Sequence, residues 1–138
     1  MKPVLLAAAA ATLFVLPAAA APEAVTTSSG LVYRSLVDGK GDAPTATDTV
    51  RVHYRGTFPD GREFDSSHKR GQPAEFPLNR VIKCWTEGVQ RMKVGGKAQL
   101  VCPPAIAYGE RGAGNVIPAN ATLHFEIELL GITSPVAR

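Results

Sequence analysis

The stretch that decides the fold is residues 81–92, which read V-I-K-C-W-T-E-G-V-Q-R-M. Its apolar residues recur at intervals of three or four, so the stretch predicts a helix with one apolar face. That face carries Val81, Trp85, Val89 and Met92. Beyond the N-terminal region, the rest of the chain has the patterns of strands and turns. A single short helix therefore has to pack its apolar face on a sheet.

Strand patterns occur on both sides of this helix. They cover residues 30–37, 50–57, 74–78, 97–102 and 123–129. Most of them alternate apolar and polar side chains, which predicts strands with one buried face. Pro77 cannot donate to a central ladder, so its strand is expected at an edge, and Pro59-Asp60-Gly61 predicts a hairpin turn. About five strands and one helix predict an α+β domain with an antiparallel sheet.

The N-terminus has the three parts of a secretory signal. Met1-Lys2 is followed by an apolar run over residues 4–16 and by small residues, which predicts a signal peptide over residues 1–20. Its apolar run is too short to span a bilayer. We expect a flexible leader over 21–29, one domain over 30–134 and a C-terminal tail over 135–138. The mature protein is expected to be exported and to have no membrane span. The periplasm is the expected destination, and secretion from the cell is the alternative.

Charge and cysteine content restrict the partners and the compartment. The formal net charge is only +3 and the basic residues are scattered singly, so binding to nucleic acid is not indicated. Cysteines of an exported chain are usually paired, because the compartment is oxidising. We therefore expect a disulfide between Cys84 on the helix and Cys102 at the end of a strand. Two buried thiols that only pack are the alternative.

Covalent and metal chemistry find little support in the sequence. Ser66 or Ser67 has Asp65 nearby, but the nucleophile elbow of a hydrolase is missing and two of the three histidines fall on outward strand positions. Histidines and cysteines do not cluster at the spacing of metal ligands. The glycines near residue 110 lack the lysine and hydroxyl residue of a phosphate-binding loop. We expect neither a metal nor a cofactor.

Aromatic residues provide the strongest functional signal. Six of them fall on inward strand or helix positions or at the mouths of loops: Tyr54, Phe64, Phe76, Trp85, Tyr108 and Phe125. They could form a core, but that core also receives several leucines and isoleucines from the strands. The alternative is an open apolar cleft, in which Asp65 and the Tyr108 hydroxyl would be the few polar groups typical of a ligand site.

Five phrases, in this order and spacing, resemble the FKBP family of peptidyl-prolyl cis-trans isomerases. They are V-H-Y at 52–54, G-R-E-F-D-S-S at 61–67, V-I-K-C-W-T-E-G-V at 81–89, A-Y-G at 107–109 and I-P-A-N-A-T-L at 117–123. The likeness covers about residues 30–132 and is closest to the exported bacterial type. It implies a curved antiparallel sheet wrapped around one short α-helix, and catalysis of Xaa-Pro rotation without a cofactor.

Carried over position by position, the resemblance also implies the site. Catalytic roles would belong to Asp65, Tyr108 and the backbone N–H of Ile82, with Arg70 supporting Asp65. The substrate-binding residues would be Tyr54, Phe64, Phe76, Val81, Trp85, Ile117 and Phe125. Ala74 and Ala113 replace larger side chains common at the rim, which affects peptide preference and affinity for inhibitors.

The resemblance finally implies partners. We expect proline-containing exported proteins as substrates, macrolide immunosuppressants as inhibitors, and a monomer, because the chain lacks the helical N-terminal extension that dimerises some exported relatives. A proline-peptide-binding module or holdase chaperone with little turnover is the alternative function.

Overall fold

A seven-stranded antiparallel sheet forms most of the computed structural model, which describes residues 23–134. The strands are β1 (Val25–Thr26), β2 (Val32–Val37), β3 (Thr49–Thr57), β4 (Glu63–Ser66), β5 (Ala74–Pro77), β6 (Lys97–Cys102) and β7 (Leu123–Thr133). Their order is β1-β2-β6-β7-β3-β4, and β5 also pairs with β3. The predicted α+β class is confirmed. The predicted signal peptide and tail lie outside the described residues.

Strand β3 organises the sheet because it has partners along both edges. One edge pairs with β7 over its whole length, while the other pairs first with β5 and then with β4. Val50, Val52 and Tyr54 are buried, whereas Arg51 and Arg55 are exposed and His53 is half-buried, so the predicted alternation is confirmed. Strand β5 pairs only with β3, and Pro77 lies opposite Thr49, as expected of an edge strand.

The described part of the chain contains two α-helices, the short α1 (Ser67–Arg70) and the main helix α2 (Lys83–Val89). Helix α2 is shorter than the predicted 81–92. Val81 and Ile82 have extended backbones, and Ile82 occupies the N-cap position without a side-chain cap. Asn79 is of a type common at helix N-caps, but it does not cap α2, because it lies inside a separate 3-10 helix, Leu78–Arg80. After Val89 the chain tightens into three-residue turns, and Gln90 rather than a glycine occupies the C-cap position.

Helix α2 packs its apolar face on β6, and two contacts hold it there. Gly88 approaches Leu100 so closely that an added Cβ would lie 2.4 Å from Leu100 Cδ2. The predicted disulfide between Cys84 and Cys102 is confirmed, with a Cα–Cα distance of 5.8 Å and both residues fully buried. The helix is thus joined to the sheet one residue before Trp85.

Two segments differ from the sequence-based expectation. Residues 67–70, whose sequence carries no apolar periodicity, form α1, and Ser66 is its N-cap. The Ser66 hydroxyl accepts a hydrogen bond from the His68 N–H at 3.1 Å, and Gly71 ends the helix with φ of 73°. Part of the predicted flexible leader pairs with β2 as strand β1. A two-residue strand carries no periodicity from which it could be predicted.

Candidate functional site

An open cleft of about 430 Å³ lies between the start of α2 and strands β3, β4, β5 and β7. Its walls come from residues far apart in sequence: Tyr54, Phe64, Asp65, Phe76, Arg80, Val81, Ile82, Trp85, Tyr108 and Phe125. Eight of these side chains are aromatic or aliphatic, and two are charged. A mostly apolar cleft with a few convergent polar groups has the character of a site for a small or extended ligand.

Trp85 forms the floor of this cleft. It is 4% exposed, although it lines the cleft. The rings of Tyr54, Phe76 and Phe125 surround it at centroid distances of 5.2, 5.4 and 5.4 Å, all nearly perpendicular to the indole. Edge-to-face pairs at these distances are favourable and fix the orientation of each ring. The floor is therefore a rigid aromatic surface that the disulfide of the preceding residue holds on the sheet.

Asp65 is held on the cleft wall by three hydrogen-bond donors. The Tyr54 hydroxyl donates to Oδ2 at 2.5 Å, and Arg70 donates from Nη1 to Oδ1 at 2.8 Å. The other guanidinium nitrogen of Arg70 donates to the Tyr54 hydroxyl at 2.8 Å, which closes a three-membered group. Oδ1 also accepts from the Ser66 N–H at 2.9 Å. The side chain of Asp65 is 41% exposed, so its carboxylate still faces the cleft and solvent.

These contacts determine which groups of the site are charged. Partial burial acts to raise the pKa of Asp65, but the hydrogen bonds from Tyr54 and Arg70 outweigh it and hold that pKa below its usual range. Burial and the bond to Asp65 raise the pKa of Tyr54 above its ordinary value. Its bonds to Asp65 and Tyr54 raise the pKa of Arg70 as well. At neutral pH the group is a carboxylate, a neutral phenol and a guanidinium.

The Ile82 N–H and the Tyr108 hydroxyl are, like Trp85 Nε1, hydrogen-bond donors at the cleft without a partner within residues 23–134. The Ile82 N–H is one of the N-terminal donors of α2, which the extended backbone at Ile82 leaves without an intrahelical acceptor. The Tyr108 hydroxyl lies on the loop after β6, and its side chain belongs to a residue that is 40% exposed. Both residues line the cleft, so each can donate a hydrogen bond to a ligand there.

Nearly all the residues predicted for the site meet at this cleft. Arg70 stands behind Asp65 rather than on the wall. Ile117 is the exception, because it lines a neighbouring pocket of about 270 Å³ with Phe58 and Arg62. Backbone hydrogen bonds in both directions between Ala113 and Ile117 turn it there. Neither Ala74 nor Ala113 lines the cleft.

Arg80 is the lining residue that sequence reasoning missed. It is exposed and belongs to the 3-10 helix that precedes Val81. Its position directly before two predicted pocket residues was the available signal. Without knowledge of the 3-10 helix, nothing in the sequence distinguishes it from other surface arginines.

The arrangement of Ser67 argues against a hydrolase. His53 Nδ1 lies 2.8 Å from Ser67 Oγ, but Ser67 is fully buried and its Oγ also accepts from the Tyr54 N–H at 2.8 Å. A nucleophile has to be reachable by substrate, so this serine supports β3 instead. His53 also stacks on His68 at 4.4 Å, and it is half-buried rather than simply solvated as the sequence suggested.

The described part of the chain offers neither a metal-ligand cluster nor a membrane-spanning helix. Between residues 23 and 134, no three histidine, cysteine or acidic side chains come together as metal ligands. No helix of the same region is long and apolar enough to cross a membrane.

Comparisons with known proteins agree with this geometry. The sequence model of the family described as FKBP-type peptidyl-prolyl cis-trans isomerase matches residues 40–130. A probable FKBP-type peptidyl-prolyl cis-trans isomerase of Haemophilus influenzae is 56% identical over 107 residues, which cover 78% of this chain and 44% of that relative. The chain thus spans less than half the length of this relative.

Two crystal structures share the fold. FkpA from Escherichia coli superposes with a TM-score of 0.79 at 50% identity, covering 82% of this chain and 53% of that one. A peptidyl-prolyl cis-trans isomerase from Pseudomonas syringae gives a TM-score of 0.77 at 40% identity, covering 83% of this chain and 84% of that one. With the family match over residues 40–130, these findings place the chain in the FKBP-type peptidyl-prolyl cis-trans isomerase family.

Proposed function

We propose that this protein is a peptidyl-prolyl cis-trans isomerase, which accelerates rotation about Xaa-Pro bonds by a non-covalent mechanism. The observation that carries the proposal is the aromatic cleft on Trp85, with a fixed carboxylate and the unpartnered donors of Ile82 and Tyr108 on its walls. Family membership supports the same activity.

The reaction needs no nucleophile, because no covalent bond has to break. Rotation about an amide faces a barrier of about 18–20 kcal/mol, since the resonance of the C–N bond is lost. Unaided Xaa-Pro rotation takes tens of seconds. A rate in the millisecond range needs about four decades of acceleration, or roughly 5–6 kcal/mol of preferential binding to the twisted state.

An apolar cleft supplies part of this preference. A proline ring packed on Trp85, Phe125 and Tyr54 brings its amide out of water. The planar amide has more charge separation than the twisted one, because resonance places negative charge on oxygen and positive charge on nitrogen. A dry site therefore disfavours the planar ground state relative to the twisted state.

Polar groups of the cleft orient the chain on either side of the rotating bond. The Ile82 N–H and the Tyr108 hydroxyl donate to carbonyl groups of the substrate and hold its backbone. The Asp65 carboxylate faces the rotating amide, where its charge favours the orientation that turns the positive carbon end of the carbonyl dipole towards it. Tyr54 and Arg70 keep this charge in place before substrate arrives, so little reorganisation is needed during the reaction.

We extend the proposal to partners and compartment. Substrates are proline-containing exported proteins, macrolide immunosuppressants act as inhibitors, and the protein is a monomer that functions in the periplasm or after secretion. The disulfide supports export, because such bonds persist in oxidising compartments. Ala74 and Ala113 are small where members of the family often have an aromatic and a histidine side chain, so peptide preference and macrolide affinity are expected to differ from those members.

A protease-free isomerisation assay on a prolyl peptide tests the activity. Asp65→Ala should lower kcat/KM at least about tenfold, which is about 1.4 kcal/mol. Asp60→Ala is the matched control, because Asp60 is an exposed hairpin carboxylate that contacts Arg62 and not the cleft. If the wild-type protein binds the peptide without raising the rate above background, the function is binding or holdase activity instead.

A further inference from the structure

Arg80 places a positive charge on the cleft that no residue of the described chain neutralises. We propose that Arg80 is a specificity-determining residue, which favours substrates carrying an acidic side chain immediately before or after the proline. This inference rests on the proposed function, because it concerns the choice of substrate at the same cleft.

One of the two charged side chains on the cleft has an ion-pair partner among the described residues, and the other does not. Its lining contains two ionised side chains, Asp65 and Arg80. Asp65 has the Arg70 guanidinium 2.8 Å away, so its charge is balanced within the protein. Arg80 forms no ion pair and donates no side-chain hydrogen bond within residues 23–134. A peptide entering the cleft therefore meets a net positive wall at this end.

The backbone that carries Arg80 is firmly held. Leu78, at the start of the 3-10 helix, is fully buried, and its N–H donates to the Asp48 carbonyl at 2.9 Å. The Leu78 carbonyl accepts a bond of 2.6 Å from the Thr86 hydroxyl of α2. Arg80 therefore projects from a fixed turn between β5 and α2, although its own side chain is exposed.

The position of Arg80 also relates it to the bound backbone. Arg80 stands two residues before Ile82, whose N–H is proposed to hold a substrate carbonyl. A peptide held by that donor lies beside Val81 and within the part of the cleft that Arg80 lines. A carboxylate on a residue adjoining the proline can then meet the guanidinium, which binds carboxylates in a planar, two-pronged geometry.

Other charged groups near this end do not cancel the effect. Lys83, in the first turn of α2, is exposed and adds a like charge, but it does not line the cleft. Glu75 lies on β5 opposite Arg51 of β3, away from the lining. Both Lys83 and Arg80 thus favour an acidic peptide, while only Arg80 can contact it inside the cleft.

The test uses peptides that differ only in the residue before proline or after it, with Glu, Gln or Lys at that place. We expect kcat/KM to be about threefold to fivefold higher for Glu than for Gln at one of the two places, because ion pairs with exposed side chains contribute modestly. Lys should be worse than Gln at the same place. The Glu preference should shrink in about 1 M salt, which screens such pairs.

Charge reversal separates recognition from a structural role. Arg80→Glu should invert the order, so that the Lys peptide becomes the better substrate, whereas a merely structural role would lower all rates together. Lys83→Glu is the matched control and should keep the wild-type order with a smaller ratio. An Arg80→Glu protein that retains the wild-type preference, or a wild-type protein with equal rates for all three residues at both places, would overturn the inference.

Binding measurements keep this result separate from the proposed activity. Trp85 is the only tryptophan of the chain and forms the cleft floor, so its fluorescence reports peptide binding. The Kd ratio of the Glu and Gln peptides tests Arg80 even in the absence of turnover. If that ratio follows Arg80 while no peptide is isomerised, the specificity holds and the proposed activity fails.

Discussion

The Tyr54 hydroxyl donates a hydrogen bond of 2.5 Å to the Asp65 carboxylate, and this contact joins the centre of β3 to β4. Arg70 of α1 donates to both groups at 2.8 Å, so three elements meet at one carboxylate. The three side chains differ in character: Tyr54 is an aromatic wall of the cleft, Asp65 a carboxylate and Arg70 a surface cation. Together their contacts fix the Asp65 carboxylate at one place on the cleft wall.

The first prediction concerns the hydroxyl of Tyr54. Tyr54→Phe keeps the aromatic wall but removes the donor to Asp65 and one acceptor of Arg70. We expect kcat/KM to fall about fivefold and the free energy of unfolding to fall by about 1 kcal/mol, which is less than is typical of hydrogen bonds to charged groups, because the carboxylate is partly exposed. Isomerisation kinetics and urea unfolding measure both. Tyr33→Phe, outside the cleft, is the control, and an unchanged kcat/KM for Tyr54→Phe would contradict the role of this bond.

The second prediction concerns pH. The pKa of Asp65 lies below its usual value and that of Tyr54 above it, so both keep their protonation state around neutrality. We expect kcat/KM to be nearly flat from about pH 6 to pH 8. A lowered carboxyl pKa contributes stability above the unfolded-state value of about 4, and this contribution is lost as the pH falls through the folded-state pKa.

Two measurements check the pH dependence. A profile of kcat/KM should decline only in acid, and wild-type stability should fall more than that of Asp65→Asn as the pH drops below about 4. A loss of half the rate between pH 6 and pH 8 would contradict the mechanism and indicate a histidine-dependent reaction instead.

The third prediction concerns the disulfide. It closes a loop with a sequence separation of 18, for which the chain-entropy model gives about 3 kcal/mol. Cys84→Ala with Cys102→Ala should lose about this free energy of unfolding. Because Cys84 precedes Trp85, we expect kcat/KM also to fall at temperatures where the variant remains folded, and mild reduction of the wild-type protein to weaken catalysis before unfolding it. Unchanged kcat/KM in the folded double variant would show that the bond serves stability alone.

The fourth prediction compares two glycines. An added Cβ at Gly56 would lie 2.6 Å from Phe64 Cζ and 2.9 Å from Phe125 Cε1, both on rings of the cleft. Gly56→Ala should therefore displace those rings and lower kcat/KM, with a loss of stability of about 1–3 kcal/mol. Gly88→Ala meets Leu100 instead and should lower stability with a smaller effect on kcat/KM. If Gly56→Ala and Gly88→Ala lose the same stability and also the same kcat/KM, the link between Gly56 and the cleft would be contradicted.

Much of the fold was predictable because its signals are local or periodic. Alternation in β3 and β7 and the apolar spacing of α2 depend on burial of one face, so they are visible without a structure. The start of α2 was not predictable, since it depends on a tertiary bond from Thr86 to the Leu78 carbonyl that stabilises a separate 3-10 helix.

The cleft shows the same division. Aromatic residues on inward positions, and the resemblance of their phrases to a family, located Trp85 and its neighbours. The direction of Ile117 depends on a bridge to Ala113 within an irregular loop, where no period indicates which side faces inward. Arg80 lines the cleft only because of the turn before Ile82, so its position on the cleft wall could not be predicted from the sequence.

The most direct test of the central claim is NMR exchange spectroscopy on a prolyl peptide at equilibrium, with a catalytic amount of protein. It measures cis-trans interconversion itself and is independent of any protease or refolding reporter. We predict exchange cross-peaks between the cis and trans forms with the wild-type protein, and a strongly reduced exchange rate with Asp65→Ala at the same peptide occupancy. Peptide resonances that shift on binding while the exchange rate stays at its uncatalysed value would contradict the account.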